Sequence, residues 1–131
     1  MYQLVDDIES YPKFLPWCAA AIVHTRSVEQ VHATIRIAKG PLRKEFSTRN
    51  TLEANRQIKL TLVDGPFKRL DGNWQFEQLD NAGSRVTLAL EFEFSNRLVT
   101  MTVGPIFNEI ANTMVSAFCD RARQVYGAKP A

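Results

Sequence analysis

Few residues in this chain have the types and spacing that catalysis requires. The two histidines are His24 and His32, and no carboxylate or thiol stands near either at a metal-ligand or general-base spacing. His32 alternates with Val31 and Ala33, so it points away from the core; the local pattern leaves the face of His24 open. Glu91 and Glu93 form a carboxylate pair of the kind that acid–base chemistry uses, but they alternate with Phe92 and Phe94. That places them on the solvated side of a strand, opposite the aromatics. Asp6, Asp7 and Glu9 read as the polar side of a short helix. Cys18 and Cys119 lie far apart, neither in a CxxC pair, and read as buried reduced thiols. No nucleophile elbow, phosphate loop or dinucleotide fingerprint is present. The residues imply no catalysis, no metal and no cofactor, and point to binding.

The elements that would build a binding site are clear. Val86, Leu88, Leu90, Phe92 and Phe94 alternate with polar residues, the period of a strand with one buried face. The pattern then turns helical, with Phe107, Ile110, Ala111, Met114, Phe118, Ala122 and Val125 at three- and four-residue spacing. Pro105 suits a first helical turn and Gly127 a stop, so a helix is expected at least from Pro105 to Tyr126. The stretch 96–103 is expected to add a helical turn or two, kinked at Gly104-Pro105. Upstream, Met1, Leu4, Val5 and Ile8 make an amphipathic helix that Tyr11-Pro12 should end. A short turn or helical piece follows, up to Trp17. Strands are expected at Ala20–Val28, Val31–Ala38, Lys44–Glu53, Gln57–Val63, Asn73–Leu79 and Ser84–Phe94. Phe67–Leu70 lies between Asp64-Gly65-Pro66 and Asp71-Gly72 and reads as a bend or flexible loop. Asp80–Ser84 is the strongest hairpin signal. Short links between consecutive strands argue an antiparallel meander. The fold class is therefore α+β: one helix, an antiparallel sheet and one long helix, the sheet curved around that helix with room for a cavity between them.

Composition agrees with this reading. The chain has 131 residues, 45% of them hydrophobic, enough for one domain with a real core. A net charge of +2 does not by itself argue for nucleic acid. The longest apolar run, Trp17–Val23, is far too short to cross a bilayer, and no signal segment opens the chain, so the expected location is the cytoplasm.

Three segments together resemble a known family. They are Tyr11-Pro12-Lys13-Phe14-Leu15-Pro16-Trp17-Cys18, then Gly65-Pro66-Phe67-Lys68-Arg69-Leu70-Asp71-Gly72-Asn73-Trp74-Gln75-Phe76, then Phe92-Glu93-Phe94 with Met114–Phe118, Arg121-Ala122 and Val125-Tyr126-Gly127. In order and spacing they are similar to the START-like polyketide cyclase and lipid-transport superfamily (SRPBCC). The match is to the branch that holds the coenzyme Q-binding proteins and the ribosome association toxins. The resemblance covers nearly all of residues 1–131 and implies a helix-grip fold, a bent antiparallel sheet gripping the C-terminal helix around an apolar tunnel. Relatives usually carry a strand before the first helix. This chain begins inside that helix, which would leave a sheet edge open.

The resemblance implies two functions. The first is non-catalytic carriage of a hydrophobic ligand, a lipid or a polyisoprenoid quinone such as ubiquinone, handed over at a membrane surface. Trp74, Phe76, Phe92 and Phe94 would line the tunnel on the sheet side, and Phe107, Ile110, Ala111, Met114 and Phe118 on the helix side. Phe14, Leu15, Trp17 and Phe67 would form its lip. Thr48 and Asn50 share a strand face with Phe46 and Leu52, and would meet a ligand carbonyl or satisfy each other. The second function is contact with the large ribosomal subunit that blocks its association with the small one. The basic residues Arg36, Lys39, Arg43, Lys44 and Arg49, extended by Lys68 and Arg69, would meet phosphate there. The pattern shows no stacking aromatics on an exposed sheet. An aldol-type cyclisation, which the superfamily name suggests, would need a positioned acid or base that these residues do not supply.

Overall fold

The structure is a computed structural model, and it describes residues 2–40, 42–78 and 84–126. It opens with helix α1 (Tyr2–Asp6) and a 3₁₀ helix (Ile8–Lys13). Six strands follow: β1 (Cys18–Arg26), β2 (Gln30–Lys39), β3 (Leu42–Glu53), β4 (Gln57–Asp64), β5 (Phe67–Gln78) and β6 (Ser84–Phe94). Helix α2 (Arg97–Tyr126) closes the chain. The strands pair antiparallel in sequence order, a pure meander. The sheet wraps α2, which is the helix-grip arrangement.

Alternation explains the sheet. In β2, Val31, Ala33, Ile35 and Ile37 are buried at 0%, 2%, 8% and 2% exposure, and they face α2. Register carries this inward face across the sheet: Ile35 pairs with Phe46, Ala33 with Thr48, and Trp74 with both Ile58 and Leu88. Register shifts interrupt β1, β4 and β5, and such bulges bend a sheet around its contents. On α2, Val103, Phe107, Ile110 and Phe118 are buried on the side that meets this face.

Turn chemistry holds between β3 and β4 and before β5, whereas Asp71-Gly72 lies inside β5, paired with Glu91 and Leu90. Asn55 takes a φ of 62° between β3 and β4, a left-handed position that asparagine tolerates. Gly65 adopts a φ of 151° before β5, and a Cβ there would stand 2.6 Å from the Phe46 Cβ, so the chain passes too close for any side chain. The hairpin expected at residues 80–84 lies outside the described residues, except that Ser84 already pairs with Gln78. The stop expected at Gly127 also lies outside them.

Three expectations need correction. The segment Phe67–Leu70 is strand, because Phe67 and Leu70 pair with Phe94 and Phe92 and bury themselves under α2. Pro12 does not end the first helix: α1 stops at Asp6, and Pro12 sits inside the 3₁₀ helix. The first strand runs Cys18–Arg26, earlier than its pattern suggests. The C-terminal helix does span the expected residues and adds the expected turns before them, running from Arg97 to Tyr126; the Asn96 side-chain oxygen accepts the Val99 N–H at 2.9 Å and caps it.

Candidate functional site

The space between sheet and helix divides into two ends. One is filled by rings. Phe107 of α2 has its ring centre 4.8 Å from Phe92, 4.9 Å from Phe67 and 6.0 Å from Phe94. Phe46 closes on Phe67 at 5.8 Å. These near-perpendicular contacts suit the quadrupoles of aromatic rings and leave little room.

The other end is hollow. A cavity of about 80 Å³ lies there. Its sheet wall includes Ala33, Ile35, Thr48, Asn50, Ile58 and Trp74, its helix wall Met114 and Phe118, and its cap Val5, Ile8, Tyr11 and Trp17. The cap is held from outside by Arg26 of β1. Its guanidinium bonds both Asp6 carboxylate oxygens at 3.0 Å and the Asp6 carbonyl at 2.8 Å.

Two polar side chains face this void. Thr48 and Asn50 are 7% and 5% exposed, and the Thr48 hydroxyl donates to the Asn50 side-chain oxygen at 2.9 Å. Among the described residues nothing accepts from the Asn50 amide nitrogen, which leaves a hydrogen-bond donor for any occupant. Tyr11 donates its hydroxyl to the Val5 carbonyl, and burial pushes its pKa well above the usual phenol range. Burial likewise pushes the Cys18 thiol, beside the cap, up to about 11. The cavity wall contains no carboxylate, imidazole, amine or thiol, so it offers orientation by hydrogen bonds and apolar contact. No three metal-ligating side chains converge among the described residues.

The residues expected around a tunnel therefore separate. Trp17, Thr48, Asn50, Trp74, Met114 and Phe118 border the cavity. Phe67, Phe92, Phe94 and Phe107 belong to the ring-filled end, and Ile110, 2% exposed, is part of the core outside the cavity wall. Ala111 is half-buried and also off that wall. Phe76 stacks on Trp74 and meets Tyr2 edge-on, one layer out. Leu15 and Phe67, expected at a lip, are 1% and 6% exposed and lie inside. Phe14 packs edge-on against Tyr11 and Phe118, with the Arg121 guanidinium 5.2 Å from its ring centre. Sequence reasoning missed Val5, Ile8, Tyr11, Ala33, Ile35, Ile58 and Leu60 as wall residues. The alternation of β2 and β4 contained the signal for four of them.

The basic residues also separate. Arg36, Arg43 and Arg49 lie on the outer face of β2 and β3, where alternation puts them opposite the buried rows. Lys44 pairs with Ile37 and lies on the helix side, at the rim. Lys39 reaches Glu109 of α2 at 3.0 Å, and Lys68 reaches Glu93 at 3.7 Å. Arg69 stands opposite Glu93 in the β5–β6 ladder. Arg36 pairs with Glu45 at 3.2 Å, whereas Arg49 has no ion-pair partner among the described residues.

Comparison with known proteins places these features. The family model described as polyketide cyclase/dehydrase and lipid transport matches residues 1–119. The ribosome association toxin RatA of Pseudomonas aeruginosa is 45% identical over 97% of this chain and 88% of its own length. The mitochondrial coenzyme Q-binding protein COQ10 homolog B of Xenopus laevis is 27% identical over 97% of this chain and 54% of its own. The solution structure of an 18 kDa protein from Caulobacter crescentus superposes with a TM-score of 0.72 at 32% identity, covering 97% of this chain and 88% of that one. No helix among the described residues is long and apolar enough to cross a membrane.

Proposed function

Because this chain belongs to the polyketide cyclase/dehydrase and lipid-transport family, we propose that within it the chain acts as a ribosome association toxin, binding the large subunit and blocking its union with the small one. The observation that carries this reading is the 45% identity to a protein of that name along 97% of the chain. The outer face of β2 and β3 supports it, since the arginines not drawn to α2 are displayed there. The test is sedimentation of ribosomes with purified protein. The expected result is a smaller associated-ribosome peak, larger free-subunit peaks, and the protein travelling with the large subunit. An unchanged profile at molar excess, with the protein left at the top, would end this reading.

A second reading rests on the hollow end of the interior, namely that the cavity holds the head of a hydrophobic ligand. A quinone is supported through the Xenopus relative, and the donor left on Asn50 suits a ligand carbonyl. At about 80 Å³ the void is smaller than the ~150 Å³ that accepts benzene in an engineered core, so a ring can enter only if the cap moves outward. Mass spectrometry of an organic extract, before and after incubation with ubiquinone, tests it. A near-stoichiometric lipid supports carriage. Two empty extracts exclude it.

A further inference from the structure

The outer face of the sheet carries a group of side chains that the sequence pattern did not reveal. His24 and His32, on neighbouring strands, bring their rings to 4.9 Å between centres with an interplanar angle of 48°. His24 is exposed and His32 is half-buried. The His24 Nε2 bonds the Thr34 hydroxyl at 2.7 Å, and that hydroxyl bonds Ser47 of β3 at 2.6 Å. This chain of bonds across three strands fixes the orientation of the His24 ring. Register sets Arg49 directly beside His32, and Thr61 of β4 beside Arg49. Further along the same face of β2 and β3 lie Arg36 and Arg43. The Arg43 guanidinium is spread over the Gly40 and Leu42 carbonyls at 2.8 and 2.9 Å. On the same face β5 and β6 mix charges: Asp71 and Glu91 face each other, while Glu93 meets Lys68 and stands opposite Arg69, and Glu77 meets Arg85.

We propose that His24, His32 and Arg49 form a nucleotide-contacting platform on the outer face, and that the surface this protein meets on the large subunit is ribosomal RNA. This rests on the ribosome reading above and names the partner chemistry. Planar imidazole and guanidinium groups stack on an unpaired base, which is how proteins read single-stranded RNA. Arg49, without an ion-pair partner among the described residues, can neutralise a phosphate. Hydroxyls of Thr25 and Thr61, in the same row, stand where ribose hydroxyls can be bonded.

The test uses two probes, intact large subunits and protein-free large-subunit RNA, with wild type, His24→Ala/His32→Ala, His32→Tyr and Arg49→Gln. Melting temperatures verify that these exposed changes leave the fold intact. The expected result is a roughly tenfold loss on both probes for the double alanine variant, retention in His32→Tyr, and a salt-dependence slope about one unit shallower in Arg49→Gln. Wild-type-like binding of the alanine and glutamine variants to RNA would overturn the proposal. A loss on intact subunits alone would also overturn it, since the partner would then be a ribosomal protein. If wild type ignores subunits, the ribosome reading falls, and the RNA titration still decides the platform by itself.

Discussion

The two ends of the interior use the same materials to different effect. At one end Phe46, Phe67, Phe92, Phe94 and Phe107 interlock, and at the other Trp74, Met114 and Phe118 stop short of filling the space over Thr48 and Asn50. Both ends are walled by the same sheet and the same helix. The difference lies in what closes them. Phe67, two residues past the close approach of Gly65 to Phe46, is buried against Phe107 and plugs its end. The hollow end is closed by α1 and the 3₁₀ helix, a short segment held by Tyr11 and by Arg26. One end therefore carries stability, and the other retains adaptable volume.

The largest effect should come from the filled end. Phe107→Ala removes the ring that four others meet, and should cost about 3–5 kcal/mol, read as a lowered urea midpoint. Next comes alkaline loosening of the hollow end. Burial keeps the Cys18 thiol protonated up to about 11, above its ordinary 9.0. The unfolded chain gives up that proton first, so the contribution is whole below pH 9 and drains away as pH rises through about 11. The loss should be on the order of 1–2 kcal/mol, below the full ~1.4 kcal/mol per unit because solvent screens part of the effect, with Tyr11 acting in the same direction at higher pH. Urea midpoints across that window, compared with Cys18→Ala, measure it, and a flat profile would contradict it.

Met114→Ala should cost only about 1–2 kcal/mol, because the side chain is half-buried and already borders a void. It should enlarge that void toward the size that takes up benzene, detectable by ligand-induced NMR shifts at Trp74. Equal losses for Phe107→Ala and Met114→Ala would erase the distinction between the ends. Thr48→Val strips the Asn50 oxygen of its donor in a dry place and should cost about 1 kcal/mol. The smallest effect belongs to Arg26→Ala. It removes an ion pair open to solvent, worth at most ~1 kcal/mol, yet it should speed amide exchange across residues 2–17 while leaving β5 and β6 protected.

Much of the fold was legible because it rests on local periods. The alternation in β2 and β6 and the three–four spacing of α2 survive any packing detail, so those elements stand where their patterns put them. Phe67–Leu70 was not legible as strand. Its flanking Gly65-Pro66 and Gly72 are turn residues in isolation, and only the partner strand β6 makes the segment extended. The helical turns ahead of Pro105 were legible, but the cap was not: the Asn96 side chain meets the Val99 N–H only once the helix is folded. The candidate cavity was half legible: alternation sorts inward from outward residues, but it cannot say which inward residues touch one another.

The sequence by itself determined the meander, the inward face of each clear strand, the long helix and the family, because those depend on short-range periodicity and on motifs in order. Only the tertiary structure decided where the interior is hollow, since a void is the small difference between the volume enclosed and the volume of the side chains that fill it. Only the structure brought His24 against His32, and it alone separated Lys39, paired with α2, from the arginines on the outer face of β2 and β3. Those neighbours are set by strand register and by the bend of the sheet, and no local pattern encodes either.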